Sequence, residues 1–250
     1  MGTRTLTKGL RNPELILVQL RRWFPWGAFS SDPECAHLIK AWSSGGLERK
    51  SMQEIFPQLT LDSIQIRKPE ARVIGWSLDL QELVHLLSVA KFIQAKRILE
   101  IGTFDGFTAL NLAANLSAGA AVSTVDLPPD QEADEYRAAG ISNAVEHNRI
   151  GAMFRNEPEE KVIHQHWGDS TRADWRSFGA PFDLILIDGC HEYSFVKSDS
   201  ENALRNLKPG GVIFWHDYGF APDVSRAVDE LARSHGVNAI RGTRFACLKT

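Results

Sequence analysis

The sequence predicts a doubly wound α/β fold: a mostly parallel seven-stranded sheet with an antiparallel C-terminal edge strand, behind a helical N-terminal extension. Three observations carry this expectation. From about residue 70 onward, short apolar runs alternate with amphipathic helical stretches, the pattern of strands covered on both faces by helices. A glycine loop, Gly102-Thr-Phe-Asp-Gly106, joins the first run to a helix. The last two runs are separated only by a short turn around Gly242, too short for a parallel crossover.

In chain order, residues 80–94 read as a helix with Leu83, Leu86, Leu87, Ala90 and Ile93 on one face. Residues 97–101 follow as a strand, then a helix over 107–116 and a strand over 121–126 closed by Pro128-Pro129. Residues 130–160 are polar and broken by Gly140, Gly151 and Pro158, so only some helix is expected there. Strands are expected at 162–166 and 182–187, and a helix at 194–207 stopped by Lys208-Pro-Gly-Gly211. A strand over 211–215 ends at His216-Asp217. A helix over 222–235 has Pro at its start and Gly236 past its end, the order helix termini favour. Residues 237–240 and 244–248 form the closing strand pair.

Before residue 70 the text changes, with short amphipathic stretches at 13–24, 33–42 and 51–56 separated by breakers. Residues 1–70 therefore read as a helical cap or oligomerisation arm, or as a plain packed extension, and residues 71–250 as the main domain. A net charge of −3 gives no basic footprint for nucleic acid. No apolar run reaches the length of a membrane span. Cys35, Cys190 and Cys247 are odd in number and form no CxxC pair, which fits a reducing, cytoplasmic setting.

The loop at 102–106 sits where a strand feeds a helix, so its backbone N–H groups and the helix dipole can hold an anionic group. Asp126 ends the next strand 24 residues after Gly102 and can accept from ribose hydroxyls. Both a dinucleotide and S-adenosylmethionine satisfy these features. Two details separate them. The spacing is GxxxG rather than the GxGxxG a pyrophosphate needs, with bulky Phe104 inside it. Glu100, two residues before Gly102, would repel a pyrophosphate but can orient the loop or help hold a cationic ligand.

Glu100-Ile-Gly-Thr-Phe-Asp-Gly-Phe-Thr-Ala-Leu110 resembles the first motif of class I S-adenosylmethionine-dependent methyltransferases, particularly small-molecule O-methyltransferases of the catechol and macrolide-sugar group. Ser123-Thr-Val-Asp-Leu-Pro128, Trp167-Gly-Asp-Ser170 and Asp183-Leu-Ile-Leu-Ile-Asp-Gly-Cys-His-Glu-Tyr193 extend the resemblance, which runs from about residue 75 to the C-terminus. It implies that Gly102, Thr103 and Phe104, with Glu100 and Gly106 framing them, hold the methionine part of the cofactor. Thr108 would cap the helix, Asp126 with Leu127 would take the ribose, and Gly168, Asp169 and Ser170 would face the adenine.

Asp188-Gly-Cys-His191 and His216-Asp217 follow neighbouring strands, about 4.8 Å apart in a parallel sheet, so they share one crevice. Methyl transfer needs a deprotonated, aligned nucleophile, and His191 is the candidate general base because imidazole titrates near neutrality. Asp188 could contact the cofactor amino group. Alternatively, Asp188, His216 and Asp217 could bind Mg²⁺ or another divalent cation, although His216 stands where the metal-dependent relatives carry an acid or amide. His164 and His166 read as packing or surface residues, Cys190 as small filler, and Asp199 as a helix-bonding acid. The expected partner is a small-molecule methyl acceptor. An NAD oxidoreductase would need GxGxxG, which is lacking; a non-catalytic S-adenosylmethionine-binding protein is the other alternative.

Overall fold

A computed structural model describes residues 45–60, 63–73, 76–128 and 149–250. The helices expected at 13–24 and 33–42, Cys35, and residues 130–148 of the polar stretch at 130–160 lie outside these residues.

The described strands are β1 (Arg49–Lys50), β2 (Arg97–Ile101), β3 (Ala121–Asp126), β4 (Ile163–Trp167), β5 (Phe182–Ile187), β6 (Leu207–Trp215), β7 (Asn238–Ile240) and β8 (Ala246–Lys249). They form one sheet in the order β1-β7-β8-β6-β5-β2-β3-β4. All neighbours are parallel except β8, which runs antiparallel to both β6 and β7. The seven expected strands are present with the expected antiparallel closing pair. The antiparallel strand is not at the edge as expected: β8 pairs on both sides, with β7 and β6, and the structure adds β1 as the edge strand beside β7. Part of the segment assigned to the N-terminal extension thus belongs to the sheet, and Phe56, just after helix α1 (Met52–Ile55), is fully buried in the core.

Strand alternation sends successive side chains to opposite faces, and the core follows that rule. Leu184, Leu186, Val212 and Phe214 face α2 (Leu80–Phe92) and α3 (Phe107–Ala114), meeting Leu83, Leu86, Leu87 and Leu110. Ile185, Ile187, Ile213 and Trp215 face the other way, with Val196 and Ala203 of α4 (Tyr193–Asn206) and Val224 and Val228 of α5 (Pro222–Leu231). Both faces being covered explains why β5 reads as an unbroken apolar run from Leu184 to Ile187. β6 begins earlier than the breakers imply. Leu207 already pairs with Phe182, and the register shifts before Leu184 pairs with Val212. Lys208-Pro-Gly-Gly211 therefore forms the first part of a strand as well as ending α4.

From β2 the chain moves outward through β3 and β4, then returns to place β5 on the other side of β2. This reversal puts the switch point, where open α/β sheets bind ligands, at the carboxyl ends of β2 and β5. Among the described residues, no helix is long and apolar enough to cross a membrane.

Candidate active site

Gly102 lies at the switch point with φ of 96°, and a Cβ there would sit 2.1 Å from the backbone oxygen of Asp188. The Asp188 N–H donates to the Ile101 oxygen at 2.9 Å, so the two loops close on each other. Only glycine meets both the backbone angle and the close approach. The Thr103 and Phe104 N–H groups each donate to Asp126 Oδ2 at 3.0 Å, and the Leu127 N–H donates to Oδ1 at 2.8 Å. Asp126 therefore fixes the glycine loop from the neighbouring strand. Phe104 stacks on Trp76, with ring centroids 5.8 Å apart and planes at 17°. Gly106, at φ of 85°, leaves the space that Phe154 fills.

Thr108 does not cap α3. Gly106 occupies the N-cap position, and Asp105 Oδ1 accepts from the Phe107 N–H at 2.9 Å, which leaves Thr108 buried in the first turn. Aspartate satisfies the orphan N–H that the threonine was expected to take.

Glu100 is buried at the end of β2. Its Oε2 accepts from Thr124 Oγ1 at 2.5 Å, and Thr124 is 2.8 Å from Thr103 Oγ1. Burial raises its pKa well above the ordinary glutamate value; the Thr124 hydrogen bond opposes this, while Asp188, Asp126 and Asp105 reinforce it. Burial also raises Asp105, whose Oδ2 has no hydrogen-bond partner, and Asp126. Three acids around one buried carboxyl form a socket suited to a cation. The ammonium and sulfonium of S-adenosylmethionine fit that chemistry; a pyrophosphate does not.

Further along the edge, Gly168 donates its N–H to the Asp126 oxygen, and Asp169 Oδ1 accepts from the Thr171 N–H and hydroxyl at 2.9 and 2.6 Å. The Ser170 oxygen takes the indole N–H of Trp175 at 2.8 Å. These three residues thus line the loop after β4, beside Asp126. Beneath them Asp199 of α4 is buried, with Oδ1 unpartnered. Burial pushes its pKa up to about 7; a Ser170 hydrogen bond opposes the rise and Asp169 adds to it. His166 packs on Phe178 at 5.0 Å between ring centroids, the packing role expected of it.

The β5 and β6 ends carry a chain of charges. His216 places Nδ1 at 2.8 Å from Asp188 Oδ1 and Nε2 at 3.1 Å from Glu82 Oε2. The backbone N–H and Nε of Arg244 donate to Glu82 Oε1 at 2.7 and 3.3 Å, and NH2 donates to Oε2 at 3.0 Å. Its NH1 reaches Asp217 Oδ1 at 2.9 Å, while Asp217 Oδ2 lies 3.1 Å from His191 Nε2. The His216 and Arg244 side chains are 1% exposed, whereas His191 is 39% exposed. Burial disfavours charge on His216, but Asp188, Asp217 and Glu82 hold its pKa well above the usual histidine value. Burial likewise opposes ionisation of Glu82, yet His216 and Arg244 keep it at about 2. They hold Asp217 lower still, aided by His191. Asp217 also has φ of 54°, the left-handed region that a non-glycine residue occupies at a cost.

The ligand atoms of Asp188, His191 and Asp217 lie within 4.8 Å of one another. The expected metal set of Asp188, His216 and Asp217 does come together, with His216 Nδ1 at 2.8 Å from Asp188 Oδ1 and 3.7 Å from Asp217 Oδ2, but both ring nitrogens of His216 are engaged with carboxylates. Glu82 and Arg244 escape sequence reasoning. Glu82 stands three residues after Asp79, where it reads as a capping-box acid, and its Oε2 does accept from the Asp79 N–H at 2.9 Å. Arg244 has no motif at all and arrives through the β7–β8 turn.

A methyltransferase-domain family matches residues 99–218. The mouse protein called "Catechol O-methyltransferase domain-containing protein 1" is 25% identical over 90% of this chain and 81% of its own length. A Populus kitakamiensis caffeoyl-CoA O-methyltransferase is 25% identical over 62% of this chain and 61% of its own. Among solved structures, a Podospora anserina methyltransferase with S-adenosylhomocysteine bound gives a TM-score of 0.55 at 14% identity, covering 90% of this chain and 97% of that one. An O-methyltransferase of Streptomyces achromogenes in complex with S-adenosylmethionine gives 0.52 at 19% identity, covering 80% and 96%. The glycine loop and its acidic partners Asp126 and Asp188 lie within the matched residues 99–218, and the chain is similar in sequence and fold to S-adenosylmethionine-dependent O-methyltransferases.

Proposed function

We propose that this chain transfers a methyl group from S-adenosylmethionine to a hydroxyl of a small molecule of sugar, phenol or natural-product type, with His191 as general base. The observation that carries the reading is the His191–Asp217 pair, 3.1 Å apart at the open edge of the sheet. Asp217 is an ionised acceptor, so Nε2 carries the proton and the basic lone pair lies on Nδ1. Asp217 also stabilises the imidazolium that forms when His191 takes a proton.

When bound, the cofactor supplies an electrophilic methyl on a sulfonium. The loop at Gly102, Thr103 and Phe104 and the acid socket of Glu100 would hold its methionine end, Asp126 the ribose, and the Gly168–Ser170 loop the adenine. His191 removes the acceptor's hydroxyl proton as the oxygen takes the methyl. Trp76 and Phe104 form an apolar wall near the cofactor loop. The relatives named for catechol and caffeoyl-CoA favour a phenolic acceptor. The setting we infer is cytoplasmic.

Thermal shift with S-adenosylmethionine, S-adenosylhomocysteine and NAD tests the cofactor, because a ligand that binds the native state raises the melting temperature. Stabilisation by NAD with none from the adenosyl ligands would end this reading. Labelled-methyl transfer onto phenols, catechols and sugars tests the base. His191→Ala is expected to lose about 10²–10⁴-fold in turnover while keeping its affinity for S-adenosylhomocysteine; turnover at the wild-type rate removes His191 from the mechanism.

A further inference from the structure

We propose that Glu82 and Arg244 are positioning residues of the transfer site, and that with the imidazolium of His216 they hold Asp188 and Asp217 in place of a divalent ion. This deepens the methyl-transfer reading and rests on it.

Ionised carboxylates only accept hydrogen bonds. His216 meets one through each ring nitrogen, at 2.8 Å to Asp188 and 3.1 Å to Glu82, so it carries both ring protons. Arg244 grips Glu82 through three donors and sends its remaining arm to Asp217. Glu82 is thus the buried anion between two buried cations, and each cation aims one site carboxylate. Asp79 and Arg72 close the outer end of the chain, with Arg244 NH2 at 3.8 Å and Arg72 NH1 at 3.4 Å from Asp79 Oδ1.

The donor set does not fit a divalent ion. Asp188 Oδ1 is taken by His216 and Asp217 Oδ1 by Arg244. Asp217 Oδ2 faces His191 at 3.1 Å and His216 at 3.7 Å. A dication placed among Asp188, His191 and Asp217 would adjoin the permanent positive charge of Arg244, whose NH1 is 2.9 Å from Asp217 Oδ1, and be repelled by it. What a metal would supply here, positive charge holding two carboxylates in register, His216 and Arg244 already supply.

The test uses the whole chain and needs no methyl acceptor. Mn²⁺ alone is titrated by electron paramagnetic resonance, and the ring nitrogens of ¹⁵N-histidine-labelled protein are read by NMR with S-adenosylhomocysteine bound. Wild type is expected to show no saturable Mn²⁺ binding up to about 1 mM, and His216 protonated on both nitrogens at pH 7. Glu82→Gln is expected to move His216 toward a neutral tautomer and to shift the His191 titration, with S-adenosylhomocysteine affinity within about twofold of wild type. Should that variant not fold, Arg244→Lys and Arg244→Met replace it: lysine is expected to retain the wild-type His191 titration and methionine to shift it. Micromolar Mn²⁺ binding by wild type that Asp188→Asn abolishes overturns the proposal. So do ring signals of His216 and His191 that no substitution moves. Failure of the base reading shows separately, as unchanged methyl transfer by His191→Ala while these ring and Mn²⁺ readouts stand.

Discussion

Gly102 shows how one atom can decide a site. A methyl group at this position would overlap the Asp188 carbonyl and would also oppose φ of 96°. We expect Gly102→Ala to lose roughly 3 kcal/mol or more of stability and to abolish the thermal shift with S-adenosylhomocysteine. A variant that melts and binds as wild type does would show that the loop has room that the geometry denies it. Asp199 makes a contrasting prediction, through charge rather than volume. Its folded pKa of about 7 stands above the ordinary 3.8, so folding favours the protonated form. That contribution is whole below pH 3.8 and is lost as pH rises through 7, a change of up to about 4 kcal/mol. Asp199→Asn should therefore gain on wild type between pH 4.5 and pH 8 in urea unfolding. A difference independent of pH would place the Asp199 carboxyl in water.

Elements that follow local periodicity were readable from sequence; those made by tertiary pairing were not. β5 and α2 announce themselves by an apolar run and an apolar stripe. β1 does not, because two residues, Arg49 and Lys50, carry no pattern and become a strand only by pairing with Ala239 and Ile240. Arg49 is also buried, which composition would never suggest, and its NH1 donates to the Ile240 and Thr243 oxygens at 3.0 and 2.6 Å. Those bonds tie the edge strand to the β7–β8 turn that presents Arg244. Arg49→Ala should leave the Thr243 oxygen unpaired and the Ile240 oxygen with only the Thr243 hydroxyl, at a cost of about 1–3 kcal/mol in urea unfolding. A loss below 0.5 kcal/mol would mean that water serves the turn equally well. The site divides along the same line. Glu100, Gly102, Asp126, Asp188, His191 and Asp217 lie on strand ends, where motif spacing reveals them. Glu82 and Arg244 reach the same crevice from a helix and a turn whose local sequence has other, sufficient explanations.

For the molecule as a whole, the Glu82–Arg244 link is a closure across 162 residues. Contacts that distant are slow to form, since the loop entropy precedes any reward, and they commit most of the chain before they close. Between those two residues the backbone runs through β2 to β7, so Arg244 cannot leave Glu82 without disturbing the sheet around it. The site consequently has little freedom to come apart alone. Heating should abolish S-adenosylhomocysteine binding and near-ultraviolet circular dichroism at one midpoint, and amide exchange at Glu82 and Arg244 should require global unfolding. Two separated midpoints would reveal an intermediate that keeps its sheet and has lost its charge network. With a single midpoint, every stabilising substitution elsewhere in the sheet also lengthens the working life of the site.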